Sequence, residues 1–215
     1  CNILQHSLLS TLHLDFNSFG EAGGTAFAQG LASKSLTTLS LCHNQLADAG
    51  VEALANALCD APSINRLDLS DNGIGDRGGA AIARELASHS TLTSLTLENN
   101  SMGDHAGVGM AQALSQNKVL LTLSMKANLL GNATGSAFVV GLRHNTSLTQ
   151  LDLTWNDINY TNHQSIHALV QVQALKYKDT SVTRLTRELE RLQRLEPRLA
   201  VREQELNNMN AQLQT

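Results

Sequence analysis

Aromatic side chains are scarce in this chain: 3% of 215 residues, with Trp 1, Tyr 2 and Phe 4. A conventional globular core uses more, whereas thin, regular layers can be filled with Leu and Ala. Cysteine is sparse as well. Cys1, Cys42 and Cys59 are an odd set without disulfide or metal spacing, which points to reduced thiols in a cytosolic protein. No apolar run approaches the roughly 18–20 residues that cross a bilayer, so no membrane partner is expected. The formal charge of −4 leaves no basic surplus to attract nucleic acid. P-loop, nucleophile-elbow and H-E-x-x-H motifs are all missing, so no catalytic residue, resident metal or cofactor is expected. At 42% hydrophobic and 16% charged, the chain is nevertheless not disordered by composition.

What is present is a period. Asn17, Asn44, Asn72, Asn100, Asn128 and Asn156 recur 27 or 28 residues apart, each at one place in a phrase best seen from Leu36 to Leu46. A fixed period in this range is the mark of a solenoid. The units open at Leu9, Leu36, Ile64, Leu92, Leu120 and Leu148. Next come the pairs Leu12/Leu14, Leu39/Leu41, Leu67/Leu69, Leu95/Leu97, Leu123/Met125 and Leu151/Leu153. Alternation by two puts both members of a pair on one face of a short strand. Val51, Leu54, Ala57 and Leu58, then Ile82 and Leu86, fall at spacings of three and four, which is the stripe of a helix. Asp48 and Asp76 stand ahead of those helices as expected caps. Gly23, Gly50 and Gly78 mark tight packing or an unusual backbone angle.

Strand, helix and strand in one sense give parallel pairing. Strands about 4.8 Å apart beside helices about 8–10 Å apart must curve, with the strands inside. The expected fold class is therefore α/β, a right-handed solenoid bent into a horseshoe arc. The asparagines are expected inside the turn after each strand, bonding backbone groups that the bend leaves unpaired.

These phrases resemble the leucine-rich repeats of the ribonuclease-inhibitor-like class, which read L-x-x-L-x-L-x-x-N-x-L and then x-x-x-G-x-x-x-L-x-x-x-L. The match is fullest from Leu36 to Ser115 and covers roughly residues 1–170. The resemblance implies binding of a protein, usually on the concave face. The class serves many unrelated partners, so it fixes fold better than function.

Three segments follow from the register: 1–8 as the end of an earlier repeat, 9–175 as six repeats, and 176–215 as an amphipathic helix. No polar capping element precedes the first unit, so the natural protein is expected to extend further upstream. The sixth unit decays, with Tyr160 and Asn162 where Asp and Gly should stand, and Lys176 opens no seventh apolar pair. Then Leu185, Leu192, Leu199, Leu206 and Leu213 repeat by seven, with Val182 and Leu189 beside them. A coiled coil through residues 182–213, giving a homo- or hetero-oligomer, is one reading. Glu196, Glu203 and Asn210 in the companion column, and Pro197, weaken that natural reading and leave open a helix capping the last repeat, or a first half that caps while the second half pairs.

Alternation also lists the inner face: Thr11, His13 and Asp15; Thr38, Ser40 and Cys42; Arg66, Asp68 and Ser70; Ser94, Thr96 and Glu98; Thr122, Ser124 and Lys126; Gln150, Asp152 and Thr154. On this face Arg66, Asp68, Glu98, Lys126, Gln150 and Asp152 are the candidate partner contacts, joined by Trp155. Trp155 either anchors a partner or packs on the neighbouring turn or following helix. His163 and His167, four apart, have metal-ligand spacing without a third ligand, and Cys42 beside His43 is a weak nucleophile pair. Asn99, Asn132, Asn145 and Asn159 open glycosylation triplets that an Asn/Ser/Thr-rich repeat produces by chance.

The expected function is a non-enzymatic scaffold: repeats hold one protein while the C-terminal helix dimerises or recruits another. By analogy of layout the setting is cytoplasmic, in a cytoskeletal, centrosomal or ciliary complex. Two alternatives are a GTPase-activating protein of the leucine-rich-repeat type and the ligand-sensing end of an innate immune receptor.

Overall fold

A computed structural model describes residues 9–31, 35–59 and 61–184. Six three-residue strands, β1 (Thr11–His13), β2 (Thr38–Ser40), β3 (Arg66–Asp68), β4 (Ser94–Thr96), β5 (Thr122–Ser124) and β6 (Gln150–Asp152), form one parallel sheet in sequence order. Helices lie between them: α1 (Gly20–Ala28), α2 (Ala47–Leu58), α3 (Asp76–Ser88), α4 (Asp104–Gln116) and α5 (Asn132–His144). A sixth, α6, begins at residue 160 and continues to 174 within the same compact unit. Residues 175–184 belong to a second unit and are helical. The heptad positions from Leu185 onward, Pro197, and residues 1–8 lie outside the described residues.

The register follows the leucines: Leu12, Leu39, Leu67, Leu95, Leu123 and Leu151 are stacked partner to partner. From Leu36 to Leu153 the opening leucines and the strand pairs form one continuous buried core, in which Leu151 is only partly covered. In α2 the buried stripe is Val51, Leu54, Ala55 and Leu58, with Ala55 in place of the expected Ala57. Leu9 departs from the pattern and is 44% exposed; among the described residues β1 has a neighbouring strand on one side only. Parallel strands alternating with helices around a leucine ladder make the unit a leucine-rich-repeat solenoid.

The asparagines act as expected. Asn72 is buried; its Oδ1 accepts Asn44 N (3.0 Å) and Leu46 N (3.2 Å). Its Nδ2 donates to Leu41 O, Leu69 O and Ser70 O at 2.9–3.1 Å. One side chain thus closes its own turn and ties it to the repeat before. Each residue just ahead of a ladder asparagine, namely Phe16, His43, Asp71, Asn99, Ala127 and Trp155, has φ between 51° and 61°.

The aspartates act differently from the expectation. Asp48 lies within α2, and its Oδ1 accepts Gly75 N and Gly78 N, both at 2.8 Å, at the start of α3. Asp76 likewise caps α4 through Gly103 N and Ala106 N, and Asp104 caps α5 through Gly131 N and Thr134 N. Each carboxylate therefore serves the next repeat's helix. Gly78 is required by that arrangement, since a Cβ there would stand 2.8 Å from both Asp48 Oδ1 and Ile74 Cγ2.

A second ladder went unread in the sequence. Asn117 Nδ2 donates to Leu86 O and His89 O, Asn145 Nδ2 to Leu114 O and Asn117 O, and Gln173 Nε2 to Leu142 O and Asn145 O. Asn145 is buried in this role, which removes it as a glycosylation acceptor.

Candidate partner-binding site

The strand face is polar because every second strand residue turns away from the leucine layer. Its carboxylates are held by neighbouring hydroxyls and amides. Asp15 Oδ1 accepts Ser40 Oγ (2.6 Å) and Cys42 N (2.9 Å), and Glu98 Oε1 accepts Ser124 Oγ (2.7 Å). Asp68 Oδ1 accepts Ser70 N and Oγ, and Asp152 Oδ1 accepts Thr154 N and Oγ1. These bonds bury Ser40 and Ser124, although alternation alone made them exposed positions.

Burial, and then the negative field of Asp68, Asp15, Asp71 and Glu98, pushes the half-buried Cys42 thiol up from its usual range. It stays a thiol instead of a thiolate nucleophile. The same carboxylates make the middle of the face acidic.

The candidate residues divide among three places. Glu98, Gln150 and Asp152 line one groove of about 410 Å³, bounded on its other side by His163, Ile166, His167, Val170 and Gln171 of α6. Arg66 and Asp68, on β3, lie one strand from the Glu98 unit but three from Gln150 and Asp152 on β6, about 14 Å at a parallel-strand spacing of about 4.8 Å. Lys126 and Trp155 sit on the turns following β5 and β6 and do not line the groove. His163 and His167 therefore share a helix face, as their spacing implied, and that face looks onto β6. Among the described residues no three His, Cys, Asp or Glu side chains converge as metal ligands.

Trp155 does not pack. It is 79% exposed, against the reading that laid it on a neighbouring turn or helix. Its φ of 61° lies in the left-handed region, where a bulky side chain is a genuine outlier. The small Ala127 holds the corresponding place one repeat earlier, and Ala127 N bonds Thr154 O. At the other end of this turn row the Phe16 ring stacks 5.0 Å from His43. His43 Nδ1 pairs with Asp71 Oδ2, and Asn99 Nδ2 donates to Asp71 Oδ1. Phe16, His43 and Asn99, with the half-buried Asp71, are thus a contiguous rim that sequence reading missed. The signal was available as the position before each ladder asparagine.

This geometry defines a repeat protein with an open polar face. Residues 32–55, 61–83 and 144–161 match the family model described as Leucine Rich repeat. No curated protein matches the chain. Among solved structures, the chain is similar to actin-binding site 2 of leiomodin-1 (TM-score 0.65, 18% identity, 78% of this chain and 97% of that one). It is also similar to the tropomodulin C-terminal domain of Caenorhabditis elegans (TM-score 0.64, 12% identity, 77% of this chain and 98% of that one). At such identities the likeness shows the fold alone.

Proposed function

We propose that the chain is a non-enzymatic scaffold whose strand face binds a protein. Trp155 supplies the aromatic anchor, Glu98, Gln150 and Asp152 the adjoining polar contacts, and Arg66, Asp68 and Lys126 the outer ones. The observation that carries this reading is Trp155 itself, a large aromatic left in water on a strained backbone. The left-handed angle is common to all six turns, so it is the unpacked indole placed there, where the preceding repeat has Ala127, that supports a functional role.

A cytoskeletal partner is the specific proposal. The leiomodin-1 structure is that protein's actin-binding site 2, and its fold covers most of this chain. That likeness supports actin filaments as the first partner to test, within a cytoplasmic, centrosomal or ciliary assembly. Residues 182–213 would supply a second contact through their heptad leucines.

Co-sedimentation of the whole chain with filamentous actin tests the reading. Wild type is expected to pellet with the filaments, and Trp155→Ala to stay in solution while retaining its melting temperature. Equal pelleting by both removes Trp155 as anchor, and no pelleting by either removes actin as partner. Light scattering of the chain with and without residues 176–215 tests dimerisation, and a monomer in both cases removes it.

A further inference from the structure

The five joints between repeats use one set of backbone bonds. Two amides entering each strand donate to a single carbonyl of the unit before, as Asn65 N and Arg66 N do to Thr37 O (2.9 and 3.0 Å). Two amides leaving each strand donate to carbonyls of the following unit, as Leu41 N does to Asp68 O and His43 N to Ser70 O (both 3.0 Å). The pattern holds through the last joint, where Thr149 N and Gln150 N donate to Leu121 O, Met125 N to Asp152 O and Ala127 N to Thr154 O. In the sixth unit the corresponding groups are Thr149 O, Leu153 N and Trp155 N. None of the three makes a backbone hydrogen bond among the described residues.

Two further features mark a seventh strand position as prepared but empty of described chain. The groove beside β6 has an aliphatic floor of Leu151, Leu153, Ile166 and Val170. The second ladder also reaches one step further than the strands do. The Oδ1 atoms of Asn117 and Asn145 accept the amides that lead into β5 and β6, at 2.8–3.0 Å. Gln173 holds the next place and is 8% exposed, and its buried Oε1 has no partner among the described residues.

We infer that the free edge of β6 takes an extended segment of a partner protein as a seventh, parallel strand. Carbonyls of the incoming segment accept from Leu153 N and Trp155 N, and its amides donate to Thr149 O, repeating the bonds of the inner joints. Main-chain bonds of this kind give affinity, while alternate side chains entering pockets give specificity. One set of side chains enters the groove and must be aliphatic, as in the array's own strands. The other set stands on the strand face beside Gln150 and Asp152, with Glu98 two strands further along the groove, and the two carboxylates select a cation. The occupant is therefore a segment alternating aliphatic with lysine or arginine residues. Trp155, carrying one of the free amides, covers the end of that strand. This assigns a partner chemistry to the face proposed above, and rests on that proposal.

The test uses the whole chain and a fluorescein-labelled peptide of about eight residues, alternating leucine and arginine, read by anisotropy. Binding is expected. N-methylation of alternate peptide amides should weaken it about tenfold, and so should Glu98→Gln combined with Asp152→Asn. Those two amides keep the oxygens that Ser124 and Thr154 bond, so the fold is left in place. A leucine–glutamate peptide should not bind. The inference is overturned by no binding of the arginine peptide, by equal binding of its N-methylated form, or by equal binding of the glutamate peptide. Binding only after removal of residues 185–215 also overturns it, because the edge then belongs to the chain's own tail. Protection of the Leu153 and Trp155 amides that appears only at high chain concentration overturns it in favour of a second copy. If peptide binding fails while Trp155-dependent co-sedimentation with actin persists, only the seventh-strand inference falls.

Discussion

Replacing Asn72 tests the joint between the second and third repeats at its most connected atom pair. The side chain makes five hydrogen bonds, two through Oδ1 and three through Nδ2, and Asn44, Leu46 and Asn72 are all buried. In Asn72→Ala the carbonyls of Leu41, Leu69 and Ser70 lose a donor, but each keeps a second lone pair. The amides of Asn44 and Leu46 have no substitute, and two orphaned buried donors cost about 1–3 kcal/mol each. A loss of about 3–5 kcal/mol is expected, read as a lower urea midpoint with unchanged slope. Asn72→Asp separates the two halves of the side chain. It keeps the acceptor for both amides but turns the donor into a second oxygen facing three carbonyls. At neutral pH it should be at least as damaging as alanine. Its deficit should shrink as pH falls, because a carboxyl among carbonyls has a raised pKa and its protonated form regains a donor. Asn17 is the control: it is exposed, and its Nδ2 donates only within its own turn, so Asn17→Ala should cost under about 1 kcal/mol. An Asn72→Ala loss below about 1 kcal/mol, or a fully stable Asn72→Asp at pH 7, would refute the ladder as the source of joint stability.

His89 opens the second ladder: its Nδ1 accepts Leu92 N, and its buried Nε2 faces the Leu58 carbonyl without closing a full bond. Burial holds its pKa below the ordinary 6.5, so the unfolded chain takes the proton first and stability falls as pH drops below about 6.5. His89→Asn should remove that acid-side loss and gain about 0.5–1.5 kcal/mol; equal melting curves at pH 7 and 5.5 in the wild type would refute this. Asp76→Ala should cost about 1–2 kcal/mol and speed hydrogen exchange at Gly103 and Ala106; faster exchange confined to the first turn of α3 would restore the own-helix reading. Asp104 has its pKa lowered, first by the Thr134 hydroxyl, so its contribution is present above the usual carboxylate range and is lost as pH falls through the depressed value. Thr134→Val should bring that loss on at a higher pH in an acid titration of stability. Trp155→Asn should change stability by less than about 1 kcal/mol, since asparagine tolerates the left-handed angle, whereas a packed Trp would lose about 3–5 kcal/mol.

Much of the fold was legible because its determinants repeat with identical residues. Leucine pairs and ladder asparagines announce themselves by type and period together. The second ladder escaped notice because its rungs are His89, Asn117, Asn145 and Gln173, four places filled by three residue types with one geometry. The cap aspartates were seen but assigned to the wrong helix. Proximity in sequence suggested a local bond, whereas the bond spans a whole unit. For the site, alternation identified which strand residues turn toward water. It did not reveal that Asp15 and Glu98 would cover Ser40 and Ser124. Nor did the spacing of His163 and His167 say which way α6 turns, and hence that both meet Glu98 and Asp152 across one groove.

The ladder asparagines reach back to the unit before, while the cap aspartates reach forward to the unit after. No module is complete by itself, and a cut through any joint strands polar groups on both sides. The array should therefore melt as one body instead of fraying unit by unit. By the same wiring, excising a whole interior period returns every donor to an equivalent acceptor, whereas excising half a period does not. Length can thus change over evolutionary time in whole-module steps, with the end surfaces left free to specialise.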